Sequence, residues 1–236
     1  MTVRRWGGFA AAAVLLLAAC AGPGSEPSGP DSPTSTAPTT SPTTSAPPVT
    51  LEQPAVWPAA DTVLTTPEAA ATAFVETAIG VPAQLGAFMA GDSRSGEIEL
   101  RFAGESGGTP VVRGTLLLRM LGPDDGWFVI GAVSDGVTID APGSGATVPA
   151  GMVTITGSAR GFEGTVIVEV FRPGQAQPLY RQVAQGGSMA DLAPFTATAD
   201  LSDTTPGETL AIVVRGGTGH EEDPGEVAAI PVVVEG

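Results

Sequence analysis

From Ala193 to Leu201 the chain reads APFTATADL, with Phe195, Ala197, Ala199 and Leu201 interleaved with Thr196, Thr198 and Asp200. Side chains alternate between two faces only in extended backbone, so this stretch fits a half-buried β-strand and no helix. The same period recurs around it. Val153 and Ile155 share a face, as do Val166, Val168 and Val170, and then Leu210, Ile212 and Val214, while VAAIPVVVE closes the chain. Pro231 in that last strand has no N–H to give a ladder, which predicts an edge strand or a bulge. About seven short strands over roughly 100 residues, parted by turn residues, predict an immunoglobulin-like β-sandwich over residues 136–236. The chain has one cysteine, so no disulfide within it can staple the sheets and packing must hold them.

A different pattern fills residues 57–135. In TTPEAAATAFVETAIG, Thr66 is placed to cap a helix, Pro67 occupies its first turn and Glu68 sits near its positive end. Ala71, Phe74, Val75, Ala78 and Ile79 follow at helical spacing, and Gly80 can stop it. GEIELRF, VVRGTLLLRML and GWFVIGAV then read as strands, the last two parted by a Gly-Pro-Asp-Asp-Gly turn at 122–126. The fold class expected is therefore β-rich: a small α+β domain, a helix on an antiparallel sheet, followed by the sandwich. Trp57 and Trp127 are expected in the α+β core.

Residues 1–19 read as an export signal, with Arg4 and Arg5 ahead of an apolar run from Phe9 to Leu17. That run is shorter than the about 20 residues a membrane span needs. Leu17-Ala18-Ala19-Cys20 resembles the lipobox of bacterial lipoproteins. The resemblance implies that the signal is cut before Cys20 and that the Cys20 thiol carries a palmitate-type lipid anchor. Two acyl chains, at about 0.8 kcal/mol per buried methylene, hold a protein on a membrane stably. Residues 20–56 form a Pro/Ser/Thr-rich linker with almost no large apolar side chain, expected to remain disordered. At about 3.1 Å per residue it could extend to roughly 100 Å.

Formal net charge is −15, from 25 acidic and 10 basic residues. Such a surface repels a phosphate backbone, which excludes nucleic acid as a partner. All ten basic residues are arginines, and lysine and asparagine are absent. Both have AT-rich codons, so the expected source is a GC-rich, actinobacterial genome.

The segment VTIDAPGSGATVPAGMVTITGSARGFEGTVIVEVF resembles the immunoglobulin-like domain of bacterial spore germination proteins. The resemblance rests on Ile139 to Pro142, on Gly157, Ala159, Phe162 and Glu163, and on Ala193, Pro194 and Phe195. It implies an extracytoplasmic binding or assembly module without catalysis.

Sites for chemistry are few. His220 is the only histidine. AGDSRSG, with Ser93, invites comparison with hydrolases that use a Gly-Asp-Ser nucleophile, but those need an Asp-x-x-His and Gly217 stands three before His220. A turn is the expected role of AGDSRSG. A zinc site lacks ligands. GTGHEEDPGE gathers Glu221, Glu222 and Asp223 in a loop as a weak calcium candidate, with a solvated acidic hairpin as the alternative. In SARGFEGTV, either Arg160, Phe162 and Glu163 face a partner, or Phe162 plugs the sandwich end while Gly161 and Gly164 shape the turn.

The expected function is thus a non-catalytic cell-envelope lipoprotein, anchored on the membrane and facing outside the cytoplasm. It would act as a binding or scaffolding module for an envelope protein or wall component, with no cofactor. One alternative is a small-molecule or glycan binder with a pocket ringed by Phe74, Phe102, Leu118 and Phe128 in the α+β domain. The other is a hydrolase of wall polymer or ester using Ser93.

Overall fold

The computed structural model describes residues 49–104 and 108–236. Cys20, the expected export signal and the expected linker up to residue 48 lie outside the described residues. After residue 48 the chain forms a helix followed by twelve strands.

The helix α1, Pro67–Phe74, begins as its sequence dictates: the Thr66 hydroxyl accepts from the Ala69 N–H at 3.2 Å, and Pro67 occupies the first turn. A wider turn, Val75–Ile79, continues it to Gly80, whose φ of 78° ends the helix in the left-handed region. Four strands follow as an antiparallel meander: β1 Met89–Asp92, β2 Ser95–Phe102, β3 Val111–Leu121 and β4 Gly126–Val133. Ala70, Ala71 and Phe74 of α1 bury against Ile98, Leu100, Leu116, Leu118 and Val129 of the meander. A fully buried side chain the size of Phe74 contributes about 1.5–3 kcal/mol.

The remaining strands are β5 Val137–Ala141, β6 Thr147–Val148, β7 Met152–Ala159, β8 Thr165–Phe171, β9 Tyr180–Gln185, β10 Ala193–Asp200, β11 Thr209–Gly216 and β12 Val227–Val234. They build the immunoglobulin-like sandwich. One sheet runs β10-β7-β5; the other contains β12-β11-β8-β9, with β6 beside β12. Val153, Ile155, Phe195, Ala197 and Ala199 from the first sheet meet Val166, Val168, Val170, Leu210, Ile212 and Val214 from the second in a single buried cluster. Gly157 lies opposite Phe195 in the ladder. A Cβ at Gly157 would stand 2.0 Å from the Thr138 carbonyl oxygen and 2.8 Å from the Phe195 ring, so only glycine fits between β5 and that ring.

The stretches 57–135 and 136–236, expected as two domains, share one sheet. Ala132 of β4 pairs with Ala229 of β12, giving nine strands along β1-β2-β3-β4-β12-β11-β8-β9 with β6 at the side. They also share a core. Trp57, Trp127, Phe74 and Val75 pack with Phe171, Ala211, Val213, Val227 and Ala229 from the opposite face of the sandwich sheet. Trp57 meets Phe74 at 6.3 Å and, edge-on, Phe171 at 6.4 Å. Both tryptophans are thus in the core, as expected. The helix layer makes a third layer over the sandwich sheet.

The expectation for Pro231 is corrected. β12 is internal, between β11 and β4. Pro231 pairs with Ala211 on β11, and its carbonyl accepts from Gly145 N at 2.7 Å on the side away from β11. The N–H that proline lacks would point to that same side, where the neighbour changes from β4 at Ala229 to β6 at Val233. No ladder bond is lost there.

Candidate functional site

The helix layer does not cover the whole sandwich sheet. On its helix-side face Phe171, Ala211 and Val213 are buried, but further along the strands Thr165, Ile167 and Arg215 are only partly covered. On β9, the last strand of that sheet, Arg181 and Val183 are exposed. The step leaves a cleft of about 450 Å³. Its floor is Thr165, Ile167, Arg181 and Arg215, one wall is the helix end at Ile79–Val81, and the rim is Phe162 and the loop from Gly217 to Pro224.

At the floor a carboxylate lies within the strands. Glu169, 2% exposed, sits directly opposite Arg181 on β9 and Val213 on β11. Its Oε1 is 3.1 Å from Arg181 Nη1, and its Oε2 accepts from Arg215 Nη2 at 3.1 Å. A buried carboxylate must be paired to be tolerated, and here two guanidinium groups do it. Arg215 is nearly buried while Arg181 is half exposed. The Arg215 Nε–H is buried and has no hydrogen-bond partner. The other ion pairs of the described residues join one arginine to one acid: Arg94 to Asp125, Arg101 to Glu99, Arg113 to Asp223, Arg160 to Glu226 and Arg172 to Glu208. Among the described residues, Glu169 is the one carboxylate that two arginines share, which leaves one positive charge in excess at the floor.

Glycine chemistry fixes the rim. Gly161 N–H donates to Gly187 at 3.0 Å, Phe162 N–H to Gly217 at 2.6 Å, and Gly217 N–H to Thr165 at 2.8 Å, which lashes the loops together at one end of the sandwich. A Cβ at Gly161 would stand 2.2 Å from the Thr165 carbonyl oxygen. Gly164 adopts φ +72° and Glu163 φ 53°, turning the chain sharply after Phe162.

The three residues expected to face a partner are divided by the structure. Phe162 is 49% exposed on the cleft rim, so its expected alternative role as a plug in the sandwich end is corrected: the lashed turn holds the ring outside the core. Glu163 is exposed beside it, with its backbone carbonyl accepting from Gln185 Nε2 at 3.3 Å. Arg160 instead pairs with Glu226 at 3.0 Å and lines a second cleft, of about 400 Å³, with Val112, Val133 and Ser134.

Other expectations are corrected too. Asp223 of the calcium candidate is buried, grips Arg113 through both carboxylate oxygens at 2.9 and 2.5 Å, and accepts from Gly225 N at 3.0 Å. Glu221 and Glu222 remain exposed. No group of three or more His, Cys, Asp or Glu able to hold a metal gathers among the described residues. The expected ring of Phe74, Phe102, Leu118 and Phe128 is not a pocket. Phe74 and Leu118 are buried in the main core, Phe128 belongs to a separate small cluster with Ala55 and Leu121, and Phe102 lies 5.8 Å under the Arg113 guanidinium. Ser93 is exposed at the tip of the β1–β2 hairpin, where Asp92 Oδ1 accepts from Arg94 N at 2.7 Å. That bond and one to Ser95 hold the Asp92 carboxyl below its usual range. The expected turn is there, and His220 stands on the cleft rim.

Glu169, Arg181 and Arg215 escape a reading by alternation. The signal for them is a charge inside an apolar run: Glu169 in TVIVEVF and Arg215 closing LAIVVRG.

Residues 136–216 match the family model described as the immunoglobulin-like domain of bacterial spore germination. No curated protein matches the chain. No helix among the described residues is long and apolar enough to cross a membrane.

Proposed function

We propose that this chain is a non-catalytic lipoprotein of the cell envelope, anchored through Cys20 on the outer face of the membrane and acting there as a binding or scaffolding module. The observation that carries the binding role is the loop-end cleft, where a large aromatic ring and a half-exposed arginine stand open on a rigid sandwich. Loops on a rigid scaffold are where such folds make their contacts. The match over residues 136–216 supports an extracytoplasmic module, and the Leu17–Cys20 segment supports the anchor. The linker would let the folded part reach partners away from the bilayer. An envelope protein or a wall component fits an acidic surface that excludes nucleic acid.

A photo-crosslinking residue at position 162 in living cells tests the binding role. A discrete envelope partner should be captured from position 162 and not from the exposed position 63. Equal capture from both, or none from 162, removes the cleft from that role. A palmitate analogue tests the anchor: it should label the protein and fail to label Cys20→Ser.

A further inference from the structure

We infer that the cleft over Glu169 binds a carboxylate carried on an apolar stem, of the kind found at the C-terminal end of a short apolar peptide. The inference deepens the binding reading above and rests on it. Three observations lead to it. Buried N–H donors are almost always satisfied, yet the Arg215 Nε–H has no acceptor in the protein, although it borders the cleft. An oxygen from a ligand would supply one once the guanidinium turns toward the cleft, since the Nε atom itself has no exposed surface. The floor carries two arginines against one glutamate, a local excess of one positive charge where a ligand's head would rest, opposed only by Glu221 at the rim. Glu221 at the rim and the neutralised Asp223–Arg113 pair favour a monoanion over a dianion such as phosphate. Beside Thr165, Thr218 and His220, the lining offers an apolar set for the stem in Ile79, Val81, Ile167 and Phe162. A volume near 450 Å³ is within the range that small ligands and short peptide ends occupy. Arginine, with its planar fork of donors, suits a carboxylate better than a point charge would.

The chain from residue 20 onward, labelled with ¹⁵N-arginine, reads the site directly: of the ten arginines in the sequence Arg4 and Arg5 fall in the expected export signal, which leaves eight Nε–H signals. Titration with acetyl-Ala-Leu-Ala bearing a free carboxyl end should shift the Arg215 and Arg181 signals saturably and leave the others still. The same peptide as its C-terminal amide should bind at least about tenfold more weakly, a difference of about 1.4 kcal/mol. Octanoate separates the two sources of such a carboxylate. If it equals the peptide, the site takes apolar acids generally; if the peptide exceeds it about tenfold, the site takes chain ends; both support the inference. No shift with either carboxylate, equal response to acid and amide, or a response confined to inorganic phosphate overturns it. Arg215→Gln would strip Glu169 of its buried partner and endanger the fold, so the decisive variants are at the surface. Arg181→Gln should weaken binding several-fold and Glu221→Gln should tighten it; unchanged affinity in both counts against the site. A null titration combined with intact crosslinking from position 162 refutes the ligand class alone, whereas loss of both refutes the binding role.

Discussion

β10 and β11 are both eight-residue strands, yet they are buried differently. In β10 the buried residues alternate strictly, Phe195, Ala197 and Ala199 inside and Thr196, Thr198 and Asp200 outside. In β11 every residue from Leu210 to Val214 is buried. The reason is the number of layers. β10 belongs to the outer sheet of the sandwich and faces water on its other side. β11 lies in the middle layer, with the outer sheet against Leu210, Ile212 and Val214 and the helix layer against Ala211 and Val213. A continuous apolar run is thus the mark of a strand covered twice, even in an antiparallel sheet.

The sharpest way to break this comparison is to place a charge on the second face. Val213→Asp should abolish cooperative folding or cost upward of about 4 kcal/mol, because it buries an unpaired carboxylate. Thr196→Asp, on the solvent face of β10, should stay within about 0.5 kcal/mol. Urea unfolding followed by tryptophan fluorescence measures both. Near-equal costs would show that the helix layer does not seal β11.

A second contrast sets Glu169 on doubly covered β8 against Glu99 on β2. Glu169→Ala leaves nearly buried Arg215 without its carboxylate and should cost about 3 kcal/mol or more. Glu99→Ala removes a partly exposed partner of Arg101 and should cost under about 1 kcal/mol. The same unfolding curves decide it. Loosening the layer that does the covering costs less than losing Glu169: Thr66→Ala deletes the cap of α1 and should cost about 1 kcal/mol.

The smallest effect belongs to the exposed carboxylates. Asp92 is held below its usual value of 3.8 by the Arg94 N–H, and Asp200 below the same value by the Ser202 hydroxyl and N–H. A carboxyl lowered in the folded state gives stability that is present above the ordinary value and lost as the pH falls through the lowered one. Asp92→Asn and Asp200→Asn should therefore flatten stability against pH only in that acid window, read as unfolding midpoints at pH 2 to 5. A change confined to neutral pH would contradict the assigned hydrogen bonds.

Local patterns made much of this fold legible. Thr66, Pro67 and Gly80 bracket the helix as their backbone preferences require, and each alternating run is a strand. The sandwich follows from Phe195 to Leu201 and its counterparts. What escaped was whatever depends on a partner distant in sequence. Nothing local in GWFVIGAV announces that Ala132 meets Ala229, and the alternation of Leu210, Ile212 and Val214 marks one buried face of β11 where there are two. YRQVAQ is too polar to stand out as a strand until β8 is beside it. Phe162 was open to two readings because an aromatic ring between glycines looks alike whether it points in or out; the hydrogen bonds of Gly161, Phe162 and Gly217 decide. The arginine pair lay hidden because a single charge in an apolar strand reveals a site only when its neighbours across the ladder are known.

β12 joins the meander to the sandwich, and its consequence is one of timing. β4 ends at Val133 and its neighbour in the sheet begins at Val227. Pairings that close such long loops are slow to form. Val56, Trp57 and Leu64 bond that flank of β4 at Val129 and Trp127, so until β12 slots in it is the end around Ala132 that lacks a neighbour and is open to adventitious strand partners. The molecule is accordingly most prone to aggregate in the interval before its last strand locks the two halves together.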